Sequence, residues 1–531
     1  MKKLSRLFAL VLALALALGC FQLTQAASDL PEVDLIYWLA GNPDMPDAEM
    51  VIPQLKAIAK DALNVNLDLE VISTFGEYKE KFTKAMAAQE RVDLAWTGWV
   101  MNIQELANMG AVLPMDDYIE EYGQDLLAAL DQRLLDAHRC ADGKLYQYPN
   151  WQGMVGRRKF FVFPKNKIDA TVGEAWVQEF QDILYANCDA GYNIEARKPA
   201  YDKLEEFLAA LKENDMLGLG YWPTLNSLKQ WADDQAREGI NGAFAYVDIY
   251  DDTFTVKPVY DNEWDREYAH IMADWFDKGY IRSDAASVVD TVSSKEGWVG
   301  EDSDECNVMW GHNGFTEDIS RELVDIVKPY YFVHNRPNCW TDLGGATATI
   351  IPFTCAEPER AMMFLNWLVA GDEQATQWYN MYVFGIEGTH YAWNEDHDFV
   401  NVFETVGNGG AGSSTWTQVP WTLGSLRNCW SSENYPKEYY QELEALQETA
   451  YTSPLLGFSF DGTDVETEVA LLNTVQKEYK NMVELGYLGT AEIDAKYDEF
   501  VDKLKASGLD DVIEACQEQL TAFIEANNRS W

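Results

Sequence analysis

Two periods of hydrophobic and polar positions alternate along the early part of the chain. Val33-Asp34-Leu35-Ile36-Tyr37-Trp38 is β-branched and aromatic with partial alternation, which predicts a strand, and Gly41-Asn42-Pro43 predicts the loop that ends it. Val51, Leu55, Ile58, Ala59 and Leu63 then recur at three and four residues, the spacing of one helix face. Val65, Leu67, Leu69 and Val71 return to alternation, a second helix is expected over Tyr78 to Ala88, and Val92-Asp93-Leu94-Ala95-Trp96 reads as a short strand ending at Thr97-Gly98-Trp99. Strands separated by helices of this length predict a largely parallel sheet, because parallel strands need crossover connections. Ligands bind beyond the carboxyl ends of such strands. Trp38, Phe75, Trp96 and Trp99 all fall at or just after predicted strand ends.

Further along, Asp142 to Gln152 predicts a turn into a short aromatic strand. Helices are expected around Gly173 to Asn187, Ala200 to Asn214 and Trp264 to Gly279. Gly344 to Pro352 reads as a strand opened by glycine, feeding a helix that starts at Glu357-Pro358-Glu359 and turns Ala361, Phe364, Leu365 and Leu368 inward. Gly407 to Ser414 is a low-complexity loop. Near the end, Val465, Val469, Leu472, Val475 and Tyr479, then Leu509, Val512, Ile513, Cys516, Leu520 and Phe523, give two amphipathic helices with charged outer faces.

Composition narrows the function. With 40 Lys and Arg against 87 Asp and Glu, the formal net charge is −47, so the counterion release that drives binding to nucleic acid is missing and no nucleic-acid partner is expected. Hydrophobic residues at 47% are enough for a large core. Lys2, Lys3 and Arg6 followed by the apolar run Leu7 to Leu18 read as an export signal over residues 1–27. Ala17-Leu18-Gly19-Cys20 resembles a lipobox that would acylate Cys20, whereas cleavage after Ala26 or Ala27 would release a soluble protein. A lipid at Cys20 is then the expected membrane attachment, since no later run reaches the roughly 18 apolar residues of a span. The other cysteines, Cys140, Cys188, Cys306, Cys339, Cys355, Cys429 and Cys516, form no C-x-x-C pair and read as buried small hydrophobes. Pairing of Cys306 with Cys339, or of Cys339 with Cys355, stays open.

Catalytic signatures are missing: the chain has no G-x-S-x-G, H-E-x-x-H, G-x-x-x-x-G-K-[ST] or G-x-G-x-x-G. His390 and His397 flank an expected loop rather than a metal-binding helix, and Glu301-Asp302-Ser303-Asp304-Glu305 lacks the glycine and closing glutamate of a calcium loop. No cofactor, metal or catalytic residue is therefore expected. Tryptophan, at 19 of 531 residues, stands out instead. Indole and phenol rings offer flat apolar faces for a sugar ring, with amides and charged groups taking its hydroxyls.

The ordered segments together resemble the family 1 extracellular solute-binding proteins, the capture subunits of ABC importers, and within them the LipO-like lipoproteins. The resemblance rests on Trp38-Leu39-Ala40-Gly41, Phe75-Gly76-Glu77-Tyr78, Val92 to Trp96, and Asp142-Gly143-Lys144-Leu145-Tyr146-Gln147-Tyr148-Pro149. It continues through Ile351-Pro352, Pro358-Glu359-Arg360-Ala361, Phe364-Leu365-Asn366-Trp367, Gly385-Ile386-Glu387-Gly388-Thr389-His390-Tyr391, and the helices after Gly457-Phe458-Ser459-Phe460-Asp461. It implies an α/β, two-lobed periplasmic-binding-protein-like fold with a hinge, an interlobe cleft that closes on ligand, and a C-terminal helical extension. The implied lobes are 28–148 with 346–380 and 149–345 with 381–455, followed by an extension over 456–531. The function it implies is a monomeric, non-enzymatic receptor on the outer face of the cytoplasmic membrane that captures a carbohydrate or oligosaccharide for ABC permease subunits. A secreted glycosidase and a sugar-binding adhesin are the alternatives. On that architecture the expected ligand-binding residues are Trp38, Trp96, Trp99, Tyr148, Asn150 and Trp151 from the first lobe and crossing. Trp222, Trp310, Glu387, Trp416 and Arg427 are expected from the second.

Overall fold

The computed structural model describes residues 30–530 apart from 73–75, 99, 141, 153–159, 189–193, 218–236, 241, 250, 282, 285–308, 312–329, 335–346, 404–411, 433–434, 438–439, 442–443 and 446–452. Two units divide the chain: 1–135 with 144–152 and 345–435, and 136–143 with 153–344 and 436–531.

The first unit is built on a five-stranded sheet. Its strands are β1 (Val33–Ala40), β2 (Val65–Ile72), β3 (Leu94–Thr97), β4 (Gln147–Pro149) and β11 (Ala348–Ile350), in the order β2-β1-β3-β11-β4. The pattern of each strand matches its place. Edge strand β2 keeps its alternation, with Val65, Leu67 and Leu69 buried and Asn66 and Asp68 exposed, whereas inner strand β1 is buried without interruption from Tyr37 to Ala40. β1 runs parallel to β2 and β3, as expected, but β11 is antiparallel to both β3 and β4. The sheet is therefore mixed rather than largely parallel.

Helices Ala48–Leu63, Gly76–Ala88, Pro358–Ala370 and Glu373–Phe384 belong to this unit. Tyr37 meets Phe364 edge-on at 6.1 Å, and Trp378 donates from Nε1 to the Leu55 carbonyl at 3.0 Å. Asp93, fully buried, accepts from the backbone N–H of Ile36 and of Ala356 (both 2.8 Å), which ties the start of β3 to the strand beside it and to the entry of the Pro358 helix. A hairpin of β12 (Tyr391–Trp393) and β13 (Val400–Val402) completes the unit; β12 lies where a loop was expected between His390 and His397.

In the second unit, β5 (Phe160–Pro164) lies between β9 (Met309–Gly311) and β10 (Tyr330–His334), antiparallel to both. The expected helices occupy Glu174–Cys188, Ile194–Glu213 and Glu263–Asp277. An aromatic core joins them, with Trp176 stacked on Phe180 at 5.3 Å and Tyr201 among Trp264, Tyr268 and Trp275. A further antiparallel sheet of β6 (Arg237–Ile240), β7 (Ala245–Asp248) and β8 (Lys257–Pro258) shares a core with three terminal helices, Glu466–Glu484, Ile493–Ala506 and Leu509–Asn527.

These boundaries differ from the expected ones. Residues 381–435 join the first unit rather than the second lobe, because Tyr379, Asn380, Trp416 and Gln418 are hydrogen-bonded within it. The C-terminal helices number three, not two, and do not stand apart. The helix Glu263–Asp277 turns Trp264, Tyr268, Met272 and Trp275 into the aromatic core and Ala269 and Ala273 into the core with the terminal helices. Gly486 fits against the backbone of Met272 and Ala273 so closely that a Cβ there would overlap it.

Candidate functional site

In the first unit the carboxyl ends of β1, β2, β3 and β4 and the amino end of β11 share one edge of the sheet. Three segments meet there: the turn Gly41–Asn42, the stretch Asn150–Gln152 that leaves β4, and the loop 416–428. Asn42 donates its backbone N–H to Gln418 Oε1 (2.9 Å) and receives Gln418 Nε2 on its carbonyl (2.8 Å), while Asn42 Nδ2 reaches the Thr417 carbonyl at 3.0 Å. Gly41 gives room at this corner, since a Cβ there would displace Gln418 Oε1 from the Asn42 N–H. Thr97, at the end of β3, is buried and its hydroxyl has no hydrogen-bond partner among the described residues.

Asn150, 1% exposed, is the knot of the edge. Its Nδ2 donates to Thr347 Oγ1 (3.3 Å) and to the Thr422 carbonyl (2.9 Å), and its Oδ1 accepts from the Thr349 hydroxyl at 3.1 Å. Both amide donors are thereby used inside the fold. Next to it, Gln152 Nε2 donates to Thr347 Oγ1 (2.5 Å) and to the Trp421 carbonyl (2.9 Å). The Trp151 backbone exchanges hydrogen bonds with Gly424 and Leu426, both 3.0 Å, and the Arg427 guanidinium lies over its ring at 4.2 Å while donating to the Ala129 carbonyl at 2.6 Å.

The structure thus brings some of the expected residues together and separates others. Trp151 and Arg427 are in contact, and Trp96, Thr349 and Tyr148 form one row across β3, β11 and β4. Tyr148 donates its hydroxyl to the Leu126 carbonyl at 2.9 Å, and burial pushes that phenol well above its ordinary pKa. Trp38 and Trp96 are packed inside: Lys81 sits 4.7 Å over the Trp38 ring and Tyr78 meets Trp96 edge-on at 5.1 Å. Trp416, buried, donates from Nε1 to the Tyr382 carbonyl at 2.9 Å. Glu387 is exposed in the turn after the helix Glu373–Phe384, bridged to Tyr391. Glu387, Trp416 and Arg427 all belong to the first unit, not the second as expected. Trp310 lies on β9 of the second unit opposite Phe161, and its side chain is outside the described residues, as are Cys20, Trp99 and Trp222.

Among the described residues of these three segments, the side chains that reach solvent are Asn42, Gln152, Trp421 and Asn428, half-buried, and Arg427, exposed. Of these, Arg427 alone is among the expected ligand-binding residues. Gln152 adjoins the expected Trp151, and Trp421 sits in a Pro-Trp-Thr turn at Pro420–Thr422, an aromatic held in a one-turn helix. Amides, an indole and a guanidinium hydrogen-bond and stack; none of them is a carboxylate, thiol or imidazole.

The nearby His390 is fully buried. Its Nδ1 accepts the Ile386 N–H at 2.8 Å, so the ring proton sits on Nε2 and faces Asp47 Oδ2 at 3.1 Å. Hydrogen bonds from Thr415 and His390 hold the Asp47 carboxyl below its ordinary pKa. Among the described residues no group of three or more His, Cys, Asp or Glu side chains is placed to hold a metal, and no helix is long and apolar enough to cross a membrane. Cys140, Cys355, Cys429 and Cys516 are free thiols; Cys306 and Cys339 lie outside the described residues.

A mixed sheet with helices, followed by a second α/β unit and a polar, aromatic strand edge, defines the class: the chain has the fold of the solute-binding proteins. A protein of Streptococcus pneumoniae serotype 4, described as a carbohydrate ABC transporter substrate-binding protein, is 22% identical over 542 residues, 99% of each chain. The N-glycan transport solute-binding protein NgtS of Streptococcus pneumoniae superposes with a TM-score of 0.69 at 19% identity, covering 93% of this chain and 99% of that one. Its structures with Man1GlcNAc and Man5GlcNAc give 0.65 and 0.62. FusA of Streptococcus pneumoniae, an ABC-transporter substrate-binding protein in complex with kestose, gives 0.58 at 14% identity over 94% of this chain and 100% of that one. Residues 454–525 match a sequence family described as a domain of unknown function, DUF3502.

Proposed function

We propose that this chain is the substrate-binding subunit of an ABC importer and that it captures a neutral carbohydrate without cleaving it. The observation that carries the reading is likeness along the whole chain, 99% of it in sequence, to a carbohydrate transporter's binding protein. The strand edge supports it: Asn42, Gln152, Trp421 and Arg427 supply amide, indole and guanidinium groups suited to hydroxyls and sugar faces. The chain is exported by its N-terminal signal, and acylation of Cys20 keeps the receptor beside its permeases.

A thermal-shift screen of the mature protein tests this, using Man1GlcNAc, Man5GlcNAc, kestose and maltodextrin and β-glucan ladders, with peptides and nucleotides as controls. A ligand at 100 times its dissociation constant adds about 2.7 kcal/mol, enough for a clear rise in melting temperature. A saccharide hit recovered intact supports the reading; cleavage products replace it with a glycosidase. A peptide hit with silence across sugars removes the carbohydrate.

A further inference from the structure

We propose that an aromatic cluster centred on Trp393 and Trp430 is a second saccharide contact, taking the outer residues of an oligosaccharide whose inner end lies at the strand edge. The proposal rests on the carbohydrate-receptor reading and deepens it: the ligand is a chain of sugars, not a single ring.

The cluster belongs to the first unit. Trp393 and Trp430 approach to 4.7 Å between ring centroids, Tyr391 stands edge-on to both at 6.2 and 5.8 Å, and Phe384 stacks on Trp430 at 6.3 Å. Phe384 and Tyr391 are buried and form the base, while Trp393, with the His397 ring 6.0 Å away, and Trp430 are half-buried. Flat aromatic faces with one polar edge are what a sugar ring stacks on.

Its scaffold is fixed without a ligand. Trp430 donates its backbone N–H to Asn380 Oδ1 (2.8 Å), and Asn380, fully buried, donates in turn to the Asn428 carbonyl at 2.7 Å. Val400 N–H bonds the Ser431 carbonyl at 2.8 Å, joining the β12–β13 hairpin to the Trp430 segment. Asn394 Oδ1 closes the hairpin turn by accepting from Asp398 and Phe399 N–H at 3.1 and 3.2 Å. Rings held in this way lose little entropy when a ligand lands. Asn394 and Asp398, bonded to each other at 2.7 Å beside Trp393, offer acceptors for hydroxyls, and with Glu395 and Asp396 they make the rim acidic, which selects neutral sugars over uronates.

Continuity with the strand edge names the occupant. Arg427, over Trp151, and Trp430 are three residues apart on one segment, so their Cα atoms lie within about 11 Å. That span is comparable with a disaccharide, which sets the length of ligand the proposal requires.

Titration calorimetry with short and long members of each ladder tests the proposal on the full mature chain. The wild type is expected to bind long probes more tightly than short ones. Trp393→Ala and Trp430→Ala are each expected to weaken the long probes about tenfold, as removal of one stacking ring does, and to leave the short probes unchanged. Trp393→Leu, which keeps apolar volume under the hairpin but removes the flat face, is expected to do the same. Variants that bind long probes like the wild type overturn the proposal, as do variants with wild-type melting temperature that lose short and long probes alike. A wild type that binds short and long probes equally overturns this proposal and leaves the receptor reading standing. A wild type silent on every ladder overturns both.

Discussion

Asn150 gives the sharpest test of how the strand edge is held. Truncating it to alanine removes three buried hydrogen bonds, to Thr347 Oγ1, the Thr422 carbonyl and the Thr349 hydroxyl. The Thr347 hydroxyl keeps Gln152 and the Trp421 carbonyl as partners. Two groups are left stranded, the Thr422 carbonyl and the Thr349 hydroxyl, the latter keeping only a long 3.5 Å contact with Tyr37. At about 1–3 kcal/mol for each stranded buried group, Asn150→Ala should lose about 2–6 kcal/mol. Urea unfolding of the mature protein at neutral pH measures this from the shift in midpoint. Asn150→Asp adds a check on sign. Its ionised carboxylate still accepts from Thr349 but points a negative charge at the Thr422 carbonyl, so the variant should be weak at neutral pH and recover part of the loss when the carboxyl is protonated. A loss below about 0.5 kcal/mol for Asn150→Ala, the range of ordinary surface changes, would refute the reasoning.

Three other outcomes follow from the second unit. Lys496 and Tyr479 hold the Glu499 carboxyl down to about 2 from 4.5. A depressed carboxyl stabilises above its unfolded pKa and loses that contribution as pH falls through the folded one, so the advantage of wild type over Glu499→Gln should be full above about pH 4.5 and gone near pH 2; a constant difference across that window would count against the pairing. Arg237 and Asp265 form a buried ion pair at 2.7 Å, and Asp265 also accepts from the Tyr260 N–H and from Asn262. Arg237→Met takes the guanidinium away from that buried carboxylate and should cost about 3–5 kcal/mol in a denaturant melt, whereas a neutral effect would show that the pair contributes nothing. Burial pushes the Cys140 thiol to about 11 and the Cys516 thiol to about 12, so both should resist iodoacetamide at neutral pH until the protein unfolds, and rapid labelling of the folded protein read by mass spectrometry would contradict that.

Much of the fold was legible because its signals are local. The alternation of Val65, Leu67 and Leu69 and the helix spacing of Val51, Leu55 and Ala59 are set by neighbours a few residues away, and the elements formed where that spacing lies. Strand direction is not local: β11 enters the sheet after a long excursion through the second unit, and nothing in Ala348–Ile350 fixes which way it runs. The assignment of 381–435 depends on pairs such as Asn42 with Gln418, 376 residues apart, each an unremarkable amide on its own. The helix Ile493–Ala506 carries a regular signal of its own in Ile493, Tyr497, Phe500 and Leu504.

The candidate site was legible in position more than in identity. Aromatic residues at strand ends pointed to the edge of the sheet where the three polar segments meet, but Trp38 and Trp96 satisfy their large apolar area by packing inward, and the sequence does not say which way an indole at a strand end turns. Of the side chains that reach solvent, Asn42, Gln152 and Trp421 sit in turns whose geometry is imposed by distant partners.

The central claim, reversible capture of an intact saccharide, is tested most directly by native mass spectrometry of the mature protein mixed with the saccharide ladders. The account predicts a complex of one protein with one intact oligosaccharide, whose released ligand keeps its starting mass after prolonged incubation. Shortened saccharides in the mixture, or no complex with any ladder from a folded protein, would contradict it.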